Sequence, residues 1–504
     1  MSAATALTHL LVRPFLACPV IYLAGRLIVR SRGESEAPNP AWVLALLALL
    51  AMAAPLYDAG RVILAGGVVA RQWGGLTLRL DSIGFLMAAV ALALGIVAVL
   101  FSVRYIAAEV GEEKYYALLV ALVGATIGLG SAGDLFNLWV WFEAMAIIAF
   151  LLVAYYQQQP GALEAGFKYL VQSALGSTLI LLGIALVFMQ TGKLDLVAIQ
   201  ASAQGRAPLL LAAGALFITG FGVKAALAPL HTWLPDAHSQ APSGISAVLS
   251  GVLIEAGLVA LLRVLAVVSA ASSSWGALLL GFGAVNMLVG NLMALRQVQV
   301  KRLLAYSSMS HVGYILLGMG VAIGYGQANG AAGGFFHIIT HALMKGLAFL
   351  SAGALLYALY LTRNEHKPLL VEDLNGAARR YPWVALALSV AVLGLAGLPP
   401  MGGFMSKWQI LVAGAQTHST VILLLVIYAA LNSILSLGYY APLVNRMYRR
   451  LPSAAIQAGK PISATMTVPL MLLMAAVVIL GFWPTLVSGL TNGAAAALLA
   501  AFGH

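Results

Sequence analysis

Residues 217–243 read FITGFGVKAALAPLHTWLPDAHSQAPS. Lys224 comes late in an apolar helix, and Pro229 and Pro235 then break that helix. An ionisable side chain at membrane depth is costly and is usually functional. A second stretch, LGLAGLPPMGGFMSKWQILV at 393–412, sets Lys407 just past Pro399 and Pro400. Two Pro-interrupted helices, each with one buried lysine, predict a duplicated transporter core whose broken helices lie at the ion path.

The rest of the chain fits that setting. It has 504 residues, 62% hydrophobic and 9% charged, which makes it an integral membrane protein. Apolar runs of spanning length fall at about 5–29, 41–57, 82–103, 115–132, 134–156, 166–190, 207–229, 244–267, 275–297, 303–323, 332–360, 382–415, 420–445 and 465–490. They predict an all-α protein of about 14 transmembrane helices, with helices 7 and 12 broken. Barrel strands would alternate in polarity, and these runs are continuously apolar. The longest polar connections, 30–40, 58–81 and 361–381, are loop-sized. They leave no room for a nucleotide, flavin or iron–sulfur domain, so no cofactor is expected.

The formal charge of +11 is distributed by topology rather than gathered for nucleic acid. Loops after odd-numbered helices hold 17 of the 27 Lys and Arg, and loops after even-numbered helices hold 6. Arg13, Lys224, Lys345 and Lys407 lie within helices. By the positive-inside rule the odd loops are cytoplasmic and both termini face outward, in a cell inner membrane. The cluster Arg446, Arg449 and Arg450 is first an orienting charge and second a candidate contact for lipid headgroups or a partner. Cys18 is the only cysteine, so neither a disulfide framework nor a Cys-based metal site is expected. The N-terminal apolar run carries Arg13 and Arg26 and reads as a retained helix rather than a signal peptide.

Order along the chain suggests duplication. The fourth to eighth helices contain Glu143 in the second member and Lys224 in the fourth; the next five contain His311 in the second and Lys407 in the fourth. An offset of five helices, being odd, reverses orientation and so predicts an inverted repeat. The units are then 1–110 (helices 1–3), 111–270 (first repeat), 271–447 (second repeat) and 448–504 (helix 14 and tail).

Glu143 stands nine residues after Asp134 in GDLFNLWVWFEAMAIIAFLLVAYY, more than two turns inside its helix. An ion pair with a lysine would relieve its burial, and a pair that separates and rejoins changes the lysine's proton affinity. A static pair that fixes packing is the alternative. Lys224 suits proton carriage better than arginine would. In FFHIITHALMKGLAFL, His337, His341 and Lys345 are spaced by four and share one helix face, about 6 Å apart per step. That reads as a proton relay, with a packed structural pair or a zinc site as weaker alternatives. Glu255, about eleven residues into SGISAVLSGVLIEAGLVALLRV, is expected to pair with Lys224 or Lys345, or to be a neutral acid bonded to a backbone carbonyl. His231 and His238 flank Pro235 and read as solvated groups for entry or gating. Lys168 and His311 join them as candidates, with helix packing an equal alternative for His311.

Together, GDLFNLWVWFEAM, FGVKAALAPLHTWLPDAHSQAPS, VKRLLAYSSMSHVGYILLG, HALMKGLAFLSAGAL and LAGLPPMGGFMSKW resemble the signature segments of the antiporter-like proton-translocating family. That family is shared by respiratory complex I, Mrp-type cation/proton antiporters and membrane-bound hydrogenases. The resemblance runs from about residue 80 to 445. It implies that Glu143 and Lys224 are the family's ion pair on helices five and seven. It also implies that His337, His341 and Lys345 form the central relay on helix eleven, and that Lys407 is the terminal lysine of broken helix twelve. A lysine there is similar to the N and L types of complex I subunit and to the D component of Mrp antiporters; the lateral helix typical of the L type is absent. Glu255 departs from the pattern, because many relatives carry lysine there.

The resemblance implies a subunit that moves protons within a multisubunit complex I-like, Mrp-like or hydrogenase-like assembly. Its other partners would be lipids and the ions themselves, H+ and, as an open alternative, Na+. Whether to count such a translocase subunit as an enzyme is left open, because it has no redox site of its own. The rivals are a self-sufficient antiporter, a structural membrane scaffold and a core for inorganic carbon uptake.

Overall fold

The computed structural model describes every residue except Met1, 33–37, 108, 203–206, 364 and 450, so Arg450 of the basic cluster lies outside the described residues. The first part of the chain forms α1 (Ala3–Arg32), α2 (Ala41–Leu50), α3 (Ala53–Leu64), the strands β1 (Val69–Trp73) and β2 (Leu76–Leu80), and α4 (Ser82–Tyr105). Then come α5 (Glu112–Gly130), α6 (Leu135–Val153), α7 (Pro160–Thr191), α8 (Leu196–Ser202), α9 (Pro208–Lys224), α10 (Trp233–Gln240), α11 (Ser243–Val248) and α12 (Ile254–Val267). The remainder is α13 (Trp275–Leu295), α14 (Val300–Tyr325), α15 (Ala328–Leu359), α16 (Ala377–Arg380), α17 (Pro382–Ala396), α18 (Gly402–Ala415), α19 (Thr420–Arg449), α20 (Ala454–Ala458), α21 (Ala464–Phe482) and α22 (Ser488–Phe502).

Both broken helices are present. Helix seven is α9 and α10, interrupted after Lys224; helix twelve is α17 and α18, interrupted at 397–401. Each break contains a cis peptide bond, Ala228–Pro229 and Pro399–Pro400. The two lysines sit on opposite sides of their breaks: Lys224 ends the first half of its helix, and Lys407 lies inside the second half of its own.

Side-chain caps and small residues set the helix ends and spacings. Asp81 and Asp134 accept backbone N–H bonds from Gly84 (2.9 Å) and Asn137 (2.7 Å), starting α4 and α6. Where α13 crosses α14, a Cβ on Gly283 would stand 2.9 Å from the Gly313 carbonyl oxygen. Only glycine allows two membrane helices to approach that closely.

The connections segregate to two faces. On one, Glu109 approaches His366 (3.7 Å), Gln299 bridges Leu370, and Ser453 donates its N–H to Asn375 (2.9 Å), so loops after odd-numbered helices gather there. On the other, Arg263 pairs with Asp81 (2.6 Å) and Asp134 bridges Asp195. Two features of this second face were not expected. Within the connection 58–81, β1 and β2 form an antiparallel hairpin, Val69 opposite Leu80, turned at Gly74–Gly75 with Gly74 at φ 60°. Beyond residue 482, α22 lies along this face instead of forming a tail. Its Gln200–Ala501 and His504–Ile323 hydrogen bonds (2.6 and 2.9 Å) and the approach of Gly493 to Ser82 all belong to this side.

Thirteen helices among the described residues are long and apolar enough to cross a membrane, the last being Pro484–Phe502. Setting that one aside, because both its ends contact one face, and adding the two broken helices leaves the fourteen crossings expected. The most deeply buried are the 243–267 segment, α14, α15 and α5; α15 packs against both α14 and the 243–267 segment at the centre of the bundle.

Candidate functional site

Lys224, Glu255, His337, His341, Lys345 and Lys407 are all buried, at most 4% exposed. Burying so many ionisable groups is unfavourable unless each finds hydrogen-bond partners. The partners they find are mostly neutral.

At the end of α9 the Lys224 ammonium donates to the Tyr169 hydroxyl of α7. The Tyr169 ring is stacked on Trp233, centroids 4.1 Å apart and 5° from parallel. The stem of Lys224 is pressed by α12: a Cβ added at Gly257 would stand 2.9 Å from its Cβ and Cγ. Glu143, half-buried on α6, makes no salt bridge with Lys224 among the described residues, and one of its oxygens is buried without a partner. The contact made by the lysine is thus with tyrosine rather than with the expected acid.

The break itself is held by a residue that the sequence alone did not single out. Asn286 of α13 accepts the Ala228 N–H through Oδ1 (2.8 Å) and donates from Nδ2 to the Ala226 carbonyl (3.1 Å). Ala226 has φ 53°, a left-handed conformation that a non-glycine residue adopts only when its surroundings fix it.

Glu255 lies just past a π-helical turn, Leu249–Leu253. Its Oε1 is hydrogen-bonded to His341 Nδ1, so its partner is a histidine of α15, neither Lys224 nor Lys345 and not a backbone carbonyl. Glu255 Oε2 and His341 Nε2 have no protein partner. Beyond His341 the imidazoles continue as a group. The His311 ring of α14 lies 5.1 Å from that of His341 and 5.2 Å from that of His337. His311 Nδ1 is 2.9 Å from His337 Nε2, and His337 Nδ1 is 2.8 Å from the Ser406 hydroxyl. Ser406 immediately precedes Lys407 on α18.

Lys407 donates to the Leu395 carbonyl (2.8 Å) and the Ser433 hydroxyl (3.0 Å), and lies 4.5 Å over the Tyr314 ring. Lys345 donates to the Leu304 carbonyl (2.8 Å) and to Ser307. Among the described residues, none of Lys224, Lys345 and Lys407 contacts a carboxylate.

The four candidates for entry or gating divide. His311 joins the central row. His238 is fully buried and stacked on Phe349, centroids 4.7 Å apart, with neither ring nitrogen bonded; it is not the solvated group expected, because α10 tucks beneath α14 and α15. His231 is half-buried with its ring 6.2 Å from that of Tyr306. Lys168 is on the lateral surface, paired with Glu164 (2.6 Å) and with Asp236 (3.0 Å), which also binds Arg302. Among the described residues no cluster of three or more His, Cys, Asp or Glu is placed to hold a metal.

Comparison with known proteins matches residues 132–432 to a family described as NADH:quinone oxidoreductase/Mrp antiporter, transmembrane. The F(420)H(2) dehydrogenase subunit N of Methanosarcina mazei is 31% identical over 483 residues, 93% of this chain and 96% of that protein. The NADH-quinone oxidoreductase subunit N 2 of Roseiflexus castenholzii is 33% identical over 452 residues, 87% of this chain and 88% of that one. Among solved structures, a chain of the archaeal membrane-bound sulfane sulfur reductase, a respiratory membrane complex, superposes with a TM-score of 0.86. It is 27% identical, and the match covers 98% of both chains.

Proposed function

The chain belongs to the NADH:quinone oxidoreductase/Mrp antiporter family of membrane subunits, and from that premise we propose that it translocates protons as an antiporter-like subunit of a redox-driven multisubunit complex. The observation that carries this reading is the buried row from Glu255 and His341 through His311, His337 and Ser406 to Lys407, with Lys224 against the same helix as Glu255. Apolar packing would not select such a row, since each member must be desolvated.

The row has chemistry suited to proton transfer. A neutral imidazole carries a donor on one nitrogen and an acceptor on the other, so a proton arriving at one nitrogen can leave from the other. A proton on Glu255 can pass to His341 Nδ1. His341 Nε2 can hand one across the gap to the His311 ring, whose Nδ1 meets His337 Nε2, and His337 Nδ1 meets Ser406 beside Lys407. Lys224 and Glu143 form the loading end: approach or withdrawal of the Glu143 charge changes the proton affinity of Lys224, while Tyr169 holds the ammonium. A carboxylate at 255 makes the middle station an acid and imidazole pair where many relatives carry lysine. Lys345, His238, His231 and Lys168 are assigned to side approaches.

In this reading 111–270 and 271–447 are inverted repeats, 1–110 and 448–504 flank them, the face bearing the loops after odd-numbered helices is cytoplasmic, and both termini face outward. The relatives from F(420)H(2) dehydrogenase and NADH-quinone oxidoreductase support a redox-driven owner. Purification of the tagged chain from its native membrane in mild detergent, with mass spectrometry of copurifying proteins, tests this. Iron–sulfur, flavin or quinone-site subunits are the expected companions; small hydrophobic antiporter subunits alone would instead indicate gradient-driven cation/proton exchange.

A further inference from the structure

A cavity of about 700 Å³ opens between α1, α5 and the end of α6, away from the buried row and on the face that gathers the odd loops. That volume suits one small amphipathic ligand. Its membrane side is apolar, formed by Pro19 and Tyr22 of α1, Leu118 of α5 and Leu151 of α6. The exposed Leu16, Val20 and Leu23 of α1 and Ile147 of α6 carry that apolar surface onward along the outside of the bundle. Its other side is polar. Glu109, Lys114 and Gln158 line it, together with Tyr155, whose buried hydroxyl has no hydrogen-bond partner.

Glu109 and Lys114 flank one turn of the backbone. Gly111, at φ 89°, turns the chain between Glu109 and α5. The Lys114 stem folds back over it, its Cδ 3.4 Å from where a Cβ on Gly111 would stand. One wall therefore offers the Lys114 cation with the Gln158 amide, and beside them the Glu109 carboxylate, 3.7 Å from the half-buried His366 imidazole. A phosphate ester would take the Lys114 and Gln158 donors, but a purely anionic headgroup would also meet the Glu109 charge. A headgroup with a phosphate and a primary ammonium satisfies both.

We infer that this cavity binds one phospholipid with an amine-bearing zwitterionic headgroup, of the phosphatidylethanolamine class. Its phosphate lies on Lys114 and Gln158, its ammonium on Glu109, and an acyl chain runs along Pro19, Leu118 and Leu151. The site stabilises the contact of α1 with α5 and α6 and plays no part in the proton row.

Cys18, the only cysteine, lines the cavity and reports on it. The intact assembly is reconstituted separately in phosphatidylethanolamine, phosphatidylcholine and phosphatidylglycerol bilayers, and alkylation of Cys18 by N-phenylmaleimide is followed by mass spectrometry. Phosphatidylethanolamine is expected to slow alkylation about two- to fivefold relative to the other two, the range of a half-exposed ion pair. Glu109→Gln should abolish the advantage over phosphatidylcholine, and Lys114→Ala should raise the rate in all three lipids. Equal rates in the three lipids, greater protection by phosphatidylglycerol, or a cysteine unreactive in all of them because protein covers the cavity would each overturn the inference.

Discussion

The carboxylate of Glu255 is hydrogen-bonded to His341 Nδ1 across the contact of α12 with α15, and both side chains are completely buried. This bond joins the helix packed on Lys224 to the histidines that lead to Lys407. A hydrogen bond to a charged group contributes about 1.5–3 kcal/mol.

Replacing Glu255 by glutamine keeps the shape and removes the titratable carboxyl group. We expect the rate of proton transfer through this subunit to fall about tenfold or more, as 1.4 kcal/mol corresponds to a factor of ten in rate. His341→Ala should have a similar effect, and the double variant should be little worse than either single one. Additive losses would show that the two groups act independently.

Gly257 tests the placement of Lys224. A methyl group there would meet the lysine stem at 2.9 Å, so Gly257→Ala should displace the ammonium from Tyr169 and depress pumping, with overpacking costing about 1–3 kcal/mol of stability. Gly281→Ala on α13 meets nothing within 4 Å and serves as the control, expected to pump normally. Equal behaviour of the two variants would contradict the assignment.

Tyr169→Phe removes the hydroxyl that accepts from Lys224 and keeps the ring stacked on Trp233. Pumping should fall while the melting temperature changes by only a few degrees. If assembly fails instead, Tyr169 is part of the packing rather than of the proton path.

Asn286→Ala should act on stability first. It leaves the Ala228 N–H and the Ala226 carbonyl at the helix break without their partners, each worth about 1–3 kcal/mol when buried. Asn286→Asp keeps the acceptor and loses the donor, so its melting temperature should lie between those of Asn286→Ala and the unaltered protein.

Much of this was legible in the sequence for simple reasons. Pro229, Pro235, Pro399 and Pro400 cannot continue a helix, and a lysine beside such a break has few explanations in a membrane. The four-residue spacing of His337, His341 and Lys345 put them on one face of what is indeed one helix. What could not be read were partners supplied by distant helices. Tyr169 lies 55 residues from Lys224 and Glu255 lies 86 from His341, and neither pair has a local signature. Asn286 looked like one polar residue in an apolar run. His238 read as solvated because it flanks the Pro235 break, at what looked like a loop end, but Phe349 covers it. The hairpin at 69–80 did carry a signal, two glycines between alternating segments, which the polar composition of that connection obscured.

The central claim is that Lys224 carries the proton it holds. It is tested most directly by measuring proton translocation in liposomes containing the assembled complex with Lys224→Ala, alongside electron transfer and subunit content. The account predicts an assembled complex that has lost coupled pumping, and the same for Glu143→Ala. Pumping at the unaltered rate in an assembled Lys224→Ala complex would contradict it.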